Sequence, residues 1–492
     1  MQASAGLRYQ VAIIGAGFGG IGMAYYLRQA GIESLVLLEK AQEVGGTWRE
    51  NTYPGSGCDV PSHLYSFSFE PHYPWHSRYA KQAEILDYAR HCAERHGIAS
   101  HIRHGCEVRQ AVFEEAGGYW RLELADGGWI EAEVVVSAVG QLHRPAYPRI
   151  PGRDRFTGKA FHSAHWDHGY DLSGKTVAVI GTGASAVQFV PEIVDKVKRL
   201  HVFQRSPGWT FPKFEHRFSR LERWLMDRIP LLETLDRLRI FFIAETLAYA
   251  YNGHRWLQNV VTAVARLQLR WQVRDPDLRR KLTPDFPVGC KRILLTWNWL
   301  PALAHRNTEV VTEAIEEITD NGLRTADGRH REVDVILYGT GFAATEFLTP
   351  MRVIGAGGKD LHAQWHEGAE AYLGVAVAGF PNFFMLYGPN TNVGSGSILF
   401  MLECQQRYIV RLLQLRRRKR WKAIGVSAAA QAEYSREIQR RSAETTYSGD
   451  CQSWYKTADG RNTNNWVGSM IEFRRRTAEP QESDFHGTPA GA

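Results

Sequence analysis

One short pattern occurs twice in this chain, and it constrains the fold more than any other feature. The stretches VAIIGAGFGG (Val11–Gly20) and VAVIGTGASA (Val177–Ala186) each join an apolar run to a glycine turn. A helix-like segment follows each turn, and then a second apolar run, SLVLLEK or RLHVFQRS. Strand–turn–helix–strand units of this kind build parallel sheets, so we expect two Rossmann-like dinucleotide-binding units.

The first glycine motif has the spacing that a dinucleotide pyrophosphate requires. Gly15 permits a tight turn, Gly17 lets the backbone approach the phosphates, and Gly20 lets the helix pack closely on the strand. The N-terminus of that helix supplies a positive field for the phosphates. Glu39 ends the second strand and can accept hydrogen bonds from a ribose, so the sequence predicts nucleotide binding here.

The second motif predicts a different ribose. It runs from Gly181 to Ala186, and Arg205 stands at the spacing that Glu39 has in the first unit. A carboxylate would repel a 2′-phosphate, whereas a guanidinium can bind it through two hydrogen bonds. We therefore expect FAD in the first unit and NADPH in the second. The alternative is that Arg205 is a solvated surface residue.

These units divide the chain. Strand-like stretches that end in glycine turns, 131–140 and 332–342, close the two units. Between these two stretches, at about 215–287, a segment rich in Leu, Arg and aromatic residues has helical spacing. We expect an α/β fold with two Rossmann-like domains and a helical insertion in the second. The predicted segments are the FAD-binding domain (1–148), the NADPH-binding domain (149–214), the helical insertion (215–287), the second part of the NADPH-binding domain (288–368), the second part of the FAD-binding domain (369–476) and a disordered tail (477–492).

Composition narrows the function classes. A net charge of +7 over 492 residues is modest, which favours a surface that attracts anionic cofactors over a nucleic-acid footprint. The run LRRRKRWK (Leu415–Lys422) is interpreted as a solvated helix face. The six cysteines are scattered and form no C-x-x-C pair, which argues against a zinc ribbon and suits a reducing cytosol. No signal peptide is recognisable, so a cytoplasmic location is expected.

Two apolar stretches invite a membrane interpretation. Prolines, asparagines and glycines interrupt Ala371–Leu402, and Arg239–Tyr251 is too short and carries Glu245. Neither stretch is predicted to span a bilayer. A peripheral membrane contact at Arg239–Tyr251 stays open.

Two longer motifs bear on the reaction. GGTWRENTYPGSGCD (Gly45–Asp59) brings a flat Trp48 and a carboxylate towards the first nucleotide. FTGKAFHSAHWD precedes the second glycine motif, and its histidines have a spacing that superficially resembles metal ligands. Because no strong fourth ligand is nearby, we expect no metal. The defining positions of this second motif are Phe156, Gly158, His162, Trp166 and Asp167, and its place between the two units predicts that it forms the joint between them.

Together these motifs resemble both fingerprints of the type I Baeyer–Villiger monooxygenases, which belong to the wider flavin-containing monooxygenases. The resemblance extends to GCKR (Gly289–Arg292), YGTGF (Tyr338–Phe342) and GFPNFFMLYGPN (Gly379–Asn390). It implies an enzyme that uses FAD, NADPH and O2 to convert a small hydrophobic ketone to an ester or lactone through a C4a-peroxyflavin. It also implies that no metal takes part.

The resemblance implies a role for each matched position. Arg292 is similar to the arginine that stabilises the peroxyflavin anion, a task that suits a permanently protonated guanidinium. Asp59 resembles the carboxylate that orients this arginine. Lys291 matches a contact to the NADPH 2′-phosphate beside Arg205. His162 is expected to couple the two domains and not to transfer a proton.

The predicted cofactor contacts lie on the two glycine motifs, on the segment after Glu39 and on nearby loops. They are Gly15, Gly17, Phe18, Gly19, Gly20, Glu39, Lys40, Gly46, Thr47, Trp48, Asp59, Tyr65, Val108, Gly181, Thr182, Gly183, Ala184, Ser185, Ala186, Gln188, Arg205, Ser206, Lys291 and Asn390.

Three other functions share part of this pattern. An N- or S-oxygenating flavin monooxygenase is the nearest alternative. A pyridine-nucleotide disulfide reductase shares two nucleotide domains, but it needs a redox cysteine pair, and Cys58 has no partner near it in sequence. An inactive binding protein is disfavoured because Arg292 and Asp59 are both present. The segment at about 215–287 and the loop around 391–397 are expected to shape an apolar substrate pocket.

Overall fold

The computed structural model describes residues 8–449, 451, 453–457 and 459–489. In this part of the chain, strands β1 to β20 comprise, in order, Arg8–Ile14, Leu35–Leu38, Ile102–Arg103, Val108–Glu114, Tyr119–Leu124, Trp129–Ser137, Lys159–His162, Thr176–Ile180, Arg199–Phe203, Thr210–Phe211, Leu294–Leu295, Thr308–Val311, Ile315–Thr319, Gly322–Thr325, His330–Glu332, Val335–Tyr338, Arg352–Ile354, Phe383–Met385, Trp421–Val426 and Phe485–Pro489. Helices α1 to α13 comprise Phe18–Gln29, Thr47–Glu50, Gln82–Arg95, Ala184–Ile193, Arg220–Arg228, Pro230–Tyr251, Arg255–Gln272, Pro276–Lys281, Trp299–Leu303, Leu361–Gln364, Ile398–Arg418, Ala428–Ala443 and Met470–Arg476.

The first glycine motif belongs to a large sheet, here called the first sheet. Its strand order is β17-β4-β5-β6-β1-β2-β3, and β18 also pairs with β6. Strand β1 lies parallel to β2 and β6, with Ile13 opposite Leu37 on one side and Val136 on the other. All three side chains are buried. Because parallel strands are covered on both faces, the paired parts of β1 and β2 are continuous buried apolar runs, whereas β4, β5 and β6 pair antiparallel and β5 alternates buried with half-buried residues.

The second glycine motif belongs to a second, fully parallel sheet of order β12-β9-β8-β16-β7. Here Val179 in β8 lies opposite Val202 and Leu337. Strands β1 and β8 each end at a glycine turn that begins a helix, α1 or α4. Ligands of such sheets bind at the carboxyl ends of the strands. The predicted pair of Rossmann-like α/β units is therefore confirmed.

The structure agrees with the predicted insertion but moves one boundary. Helices α5 to α8, which lie between residues 220 and 281, are placed between β10 and β11, and these two strands pair with each other in parallel. The boundary at 368 was wrong, because Val353 of β17 already pairs with Ala111 of β4 in the first sheet. A strand of three residues is too short to show a pattern in the sequence. It is recognised here by its pairing with β4, which lies far away along the chain.

The tail predicted to be disordered, 477–492, was wrong for its described part. Strand β20 pairs antiparallel with β19, with Gly487 opposite Ile424. Phe485 is buried and packs edge-on against Tyr372, with 5.8 Å between ring centroids. A strand much earlier in the chain thus satisfies the backbone of this polar segment. Residues 490–492 lie outside the described residues.

The apolar stretch 371–402 does not form one long helix. It contains strand β18, the loops around it and the beginning of α11, as its prolines and glycines predict. Across the described ranges, none of the helices has the length and apolar character needed to cross a membrane.

The second fingerprint, 156–167, lies where the two units meet. Trp166 packs on Phe161 and, with 5.3 Å between ring centroids, on Phe189 of α4. From the first unit, Tyr53 packs edge-on against the same Phe189, and its hydroxyl donates to Gln188 Oε1 at 3.0 Å. Both fingerprints therefore contact α4, which supports the predicted joint. Its control over domain movement stays a prediction.

Three other fingerprint positions stabilise this region. Phe156 is half-buried and packs against the core of the second sheet. Gly158 leaves no room for a side chain, because a Cβ there would lie 2.6 Å from the carbonyl oxygen of Asp334. Asp167 forms an ion pair with Lys159 at 2.6 Å. These contacts are structural, and none of the three residues lines the large cavity described below.

His162 is a neutral, buried side chain. It is 0% exposed, and its Nδ1 accepts a hydrogen bond from the Ala164 amide at 3.1 Å. Its ring lies between Tyr147 and Phe342, at 5.4 and 5.8 Å from their ring centroids. Burial lowers the pKa of His162 to about 4. This supports the expectation that His162 is not a proton-transfer group.

Replacing His162 with Gln should reduce acid destabilisation. The pKa of His162 is lowered to about 4 in the folded protein, whereas an unfolded histidine titrates at about 6.5. The unfolded state therefore binds the proton first, and stability falls as the pH drops from about 6.5 towards 4. We expect His162→Gln to recover about 1 to 2 kcal/mol of the loss between pH 6.5 and pH 5, measured by urea unfolding.

His366→Gln is the matched control, because the His366 side chain is 74% exposed. An equal gain in both variants would contradict the assignment to His162.

Candidate active site

A cavity of about 1530 Å³ lies between the two glycine turns. This exceeds the about 300–1,000 Å³ that is usual for a pocket holding one drug-sized ligand. The predicted cofactor contacts that line it are Gly15, Gly17, Phe18, Gly19, Glu39, Lys40, Gly46, Thr47, Trp48, Asp59, Tyr65, Val108, Gly181, Thr182, Gly183, Ala184, Ser185, Gln188, Arg205, Ser206 and Lys291. The predicted catalytic Arg292 lines the same cavity.

The first glycine turn is shaped to receive a phosphate. Gly15 has a φ of +103°, and a Cβ there would lie 2.8 Å from the carbonyl oxygen of Ala138. A Cβ on Gly20 would overlap the Gly15 carbonyl oxygen, so Gly20 provides the close packing that its spacing predicts. Gly17 begins α1 directly against Gly46. The cavity therefore meets bare backbone at a helix N-terminus, which suits a pyrophosphate.

Glu39 is hydrogen-bonded to the backbone of this turn. It is buried, and its two carboxylate oxygens accept hydrogen bonds from the amides of Ala16 at 2.8 Å and Ala41 at 2.9 Å. These bonds fix the carboxylate at the end of β2, where it lines the cavity. Each carboxylate oxygen can accept a further bond, so the expected contact with a ribose stays a prediction.

The second glycine turn carries positive charge where the first carries a carboxylate. Gly181 has a φ of +104°, and a Cβ there would overlap the carbonyl oxygen of Gly339. Lys291 donates to the Ser206 hydroxyl at 2.5 Å. Burial and the positive charge of Arg205 lower the pKa of Lys291. Two cations that repel each other beside an open cavity form a receptor for an anionic group.

Arg292 and Asp59 lie together in the same cavity. Arg292 Nη2 is 3.8 Å from Asp59 Oδ2. Burial lowers the pKa of Arg292, but Asp59, with smaller contributions from Tyr455, Tyr387 and Cys58, raises it, and the net direction is upward. The guanidinium therefore keeps its charge. The sequence predicted this pair, and the structure brings its two members together.

A second cation, Lys213, shares the Asp59 carboxylate, and sequence reasoning missed it. Lys213 Nζ donates to Asp59 Oδ1 at 3.2 Å and to the Cys58 carbonyl oxygen at 3.0 Å. Its side chain is only 8% exposed, and its ammonium lies 4.9 Å from the ring centroid of Tyr79. A lysine between two phenylalanines in TFPKF gives no sign of this partner. Only the tertiary structure, in which the segment after β10 approaches the first fingerprint, reveals it.

The groups around Arg292 that could titrate are held protonated. Burial raises the pKa of the Tyr387 phenol and of the Cys58 thiol, each to about 12. The Tyr387 hydroxyl donates to Asn392 Oδ1 at 2.8 Å. A protonated, buried Cys58 is a poor nucleophile, so the charged groups at this point are Asp59 and its two cations.

Three predicted cofactor contacts do not line the cavity. Gly20 and Ala186 lie beneath the two turns, where Gly20 and the fully buried Ala186 pack against neighbouring backbone. Asn390 is buried, and its side-chain amide donates to the carbonyl oxygens of Asn462 and Asn465 at 2.9 and 3.3 Å. Asn390 therefore holds neighbouring backbone in place and does not contact the cavity.

The structure also pairs two cysteines that are far apart in sequence. Cys290 and Cys451 form a disulfide bond across a separation of 161 residues, which spacing alone cannot indicate. Neither residue lines the cavity, so the bond does not take the position of a redox pair facing a nucleotide. Cys58, which does line the cavity, is a free cysteine.

Known proteins resemble this chain along nearly its whole length. Residues 12–256 match the family model described as pyridine nucleotide-disulphide oxidoreductase. The chain is 43% identical over 481 residues to a Baeyer–Villiger monooxygenase of Pseudomonas aeruginosa, which covers 97% of this chain and 91% of that protein. A Baeyer–Villiger monooxygenase of Streptomyces coelicolor is 44% identical over 478 residues, with 97% and 92% covered. This chain belongs to the Baeyer–Villiger monooxygenases.

The fold comparison agrees with this family. The crystal structure of OTEMO in complex with FAD and NADP matches with a TM-score of 0.87 at 27% identity, over 98% of this chain and 100% of that chain. Membership in the Baeyer–Villiger monooxygenases confirms the resemblance that the two fingerprints indicated. It also explains the match to the oxidoreductase model, since that match covers the first glycine motif and most of the second unit's α/β core.

Removing the Lys213 ammonium should destabilise the protein. We expect Lys213→Met to lower the free energy of unfolding by about 1–3 kcal/mol, because a buried carboxylate loses a hydrogen-bonded cation. Lys81→Met is the matched control, since Lys81 also lies 3.2 Å from a carboxylate, that of Glu215, but both side chains are more than half exposed. Its loss should stay below about 1 kcal/mol. If urea unfolding shows that both variants lose the same free energy of unfolding, the buried ion pair stabilises the protein no more than the exposed pair does.

Proposed function

We propose that this protein is an FAD- and NADPH-dependent Baeyer–Villiger monooxygenase that uses O2 to convert a hydrophobic ketone to an ester or lactone. The observation that carries the proposal is the position of Arg292, which is paired with Asp59 in the one cavity that both glycine turns line. FAD and NADP are the molecules bound in the related OTEMO structure. When bound, the flavin supplies oxygen activation after NADPH reduces it.

The residues present fit the two dinucleotides. At the first turn, Gly17 and Gly46 bring bare backbone together, and a pyrophosphate needs that close approach. At the second turn, Arg205 and Lys291 present two cations to the cavity. A 2′-phosphate would relieve their mutual repulsion, which favours NADPH over NADH.

Arg292 would act by charge and not by proton transfer. Its pKa is raised, so it holds negative charge that develops on the substrate oxygen without giving up its own proton. Asp59 orients the guanidinium, and Lys213 fixes the other carboxylate oxygen. With two cations and one carboxylate, this cluster is net positive.

The apolar part of the cavity suits a hydrophobic ketone. Its lining includes Leu386, Val393, Ile398, Leu399 and Trp454. Part of this wall comes from the loop around residues 391–397 that the sequence predicted to shape the pocket, whereas no residue of the segment 215–287, predicted together with it, lines the cavity. The cytoplasmic location stays a prediction from sequence.

Product analysis separates this proposal from its nearest alternative. The purified protein is incubated with NADPH, O2, a panel of linear and cyclic ketones and one thioether. Ester or lactone carrying one oxygen atom from ¹⁸O2 is the expected result. Sulfoxide without any ester would favour an S-oxygenating flavin monooxygenase, and consumption of NADPH without oxygenated product would favour neither.

Arg292→Ala should separate the two half-reactions. We expect NADPH to reduce the bound flavin at a rate within about threefold of the wild type, since the change leaves both glycine turns intact. Ester formation should fall by about 100-fold or more, as when an enzyme loses a charge aimed at its transition state. Stopped-flow absorbance measures the first step and gas chromatography the product. Undiminished ester formation would refute the role of Arg292.

Arg205→Gln should weaken the preference for NADPH. Losing one charged partner of a phosphate costs about 1.5–3 kcal/mol, so kcat/KM for NADPH should fall about tenfold or more while that for NADH changes little. Arg199→Gln is the control. Arg199 is the first residue of β9, whereas Arg205 follows the other end of that strand. If both variants lower kcat/KM for NADPH equally, the overall positive charge of this region, and not a contact between Arg205 and the 2′-phosphate, explains the preference for NADPH.

A further inference from the structure

The helical insertion and its immediate flanks carry nearly all of the exposed large apolar side chains in the described part of the chain. Sixteen of the eighteen lie between residues 214 and 297, and the two outside are Tyr147 and Ile471. Proteins seldom leave such a concentration facing water, and an exposed patch of this kind marks an interaction surface. We call this surface the insertion face and define it by the outward residues of α6 and α7.

Helix α6 has two different sides. Its outward side chains Leu231, Leu235, Leu238, Phe242 and Tyr249 are 47–62% exposed and recur at helical spacing. The opposite side is buried, and there the Ala244 carbonyl accepts a hydrogen bond from Ser395 at 3.0 Å. The apolar outer stripe is therefore not part of the protein core.

Helix α7 continues the stripe. Trp256, Val260, Leu267 and Trp271 are 49–69% exposed, again at helical spacing. The stripe ends in a cluster of exposed rings, because the Trp297 ring centroid is 5.4 Å from that of Trp271 and 5.7 Å from that of Phe214. Tryptophan with one edge free to meet polar groups is common at the boundary between water and lipid.

The charges that α6 and α7 themselves present to solvent have one sign. Helix α7 contains Arg255, Arg266 and Arg270, all exposed, and its sequence contains no acidic residue. On α6, Glu233 and Glu245 are buried, and Asp236 is only 13% exposed because Arg78 and His63 hold it. The charges that α6 and α7 present to solvent are therefore cationic.

We propose that the insertion face docks on an anionic lipid bilayer, with α6 and α7 lying in the plane of the interface. An apolar stripe with tryptophans and flanking arginines has the pattern of interfacial helices. Anionic headgroups complement the arginines. A second copy of the chain fits less well, because a symmetric contact would bring arginines against arginines. None of the described helices qualifies as a membrane span, so the contact is peripheral.

Docking would place the cavity close to a store of apolar substrate. The buried side of α6 ends at Tyr251, which packs against Tyr447 and lies beside Gly289, close to Arg292 in sequence. Helix α6 thus stands between the insertion face and the candidate active site. This consequence rests on the proposed function, whereas the lipid contact itself does not.

Vesicle flotation tests the contact with the full-length protein. Vesicles of phosphatidylcholine with about one third phosphatidylglycerol should carry the protein upward, and pure phosphatidylcholine vesicles should carry much less. The double variant Leu235→Glu/Phe242→Glu should lower the partition coefficient about tenfold or more, since two apolar side chains no longer leave water. Ile471→Glu is the matched control, an exposed apolar residue outside the insertion face, and should bind like the wild type.

Two further measurements identify the forces. The triple variant Arg255→Gln/Arg266→Gln/Arg270→Gln should lose the preference for anionic vesicles, and added salt should have the same effect on the wild type. Trp256 and Trp271 should shift their emission to the blue on binding and be quenched by brominated lipid, relative to the Trp256→Phe/Trp271→Phe variant.

The outcomes that overturn the proposal are distinct from failure of the proposed function. No flotation with anionic vesicles would refute it. Analytical ultracentrifugation showing a dimer that Leu235→Glu/Phe242→Glu dissociates would assign the face to a second copy. Oxidation of a water-soluble ketone in buffer tests the chemistry separately, and the glutamate variants should retain this activity if they fold.

Discussion

The contact between the first fingerprint and helix α4 sets how the two dinucleotide units face each other. Tyr53 packs on Phe189 and donates to Gln188, whose amide in turn donates to the Gly57 carbonyl oxygen at 2.9 Å. A Cβ on Gly55 would overlap the Gln188 carbonyl oxygen. Because α4 also begins at the second glycine turn, one rigid contact positions both turns along a common cavity. Asp59 follows directly, so the same contact places the charged cluster.

That cluster combines segments that are remote in sequence. Asp59 follows the first glycine unit, Lys213 precedes the helical insertion, and Arg292 comes after it. Burying a carboxylate is costly unless cations and hydrogen bonds replace its water. Here two cations share the two oxygens. Asp59 therefore keeps Arg292 oriented and charged where its side chain lines the cavity.

The helical insertion serves two sides of the molecule. Its inner residues support the site, as when Glu245 accepts a hydrogen bond from the Met470 amide at 2.7 Å. Its outer residues form the apolar, arginine-flanked insertion face. Helix α6 does not have the apolar character that a membrane span needs. The buried Glu233 and Glu245 of α6 instead tie its inner side to the protein.

The sequence by itself determined the two glycine turns, the acidic and basic residues that follow them, and the fingerprints with Arg292 and Asp59. These features are readable because a turn with positive φ and a helix N-terminus depend on neighbouring residues. Only the tertiary structure decided the partnership of Lys213 with Asp59, the structural place of Asn390, the return of the chain through β17 and the pairing of β20. Each of these depends on a partner far along the chain, and hydrogen bonding or burial there leaves no local pattern in the sequence.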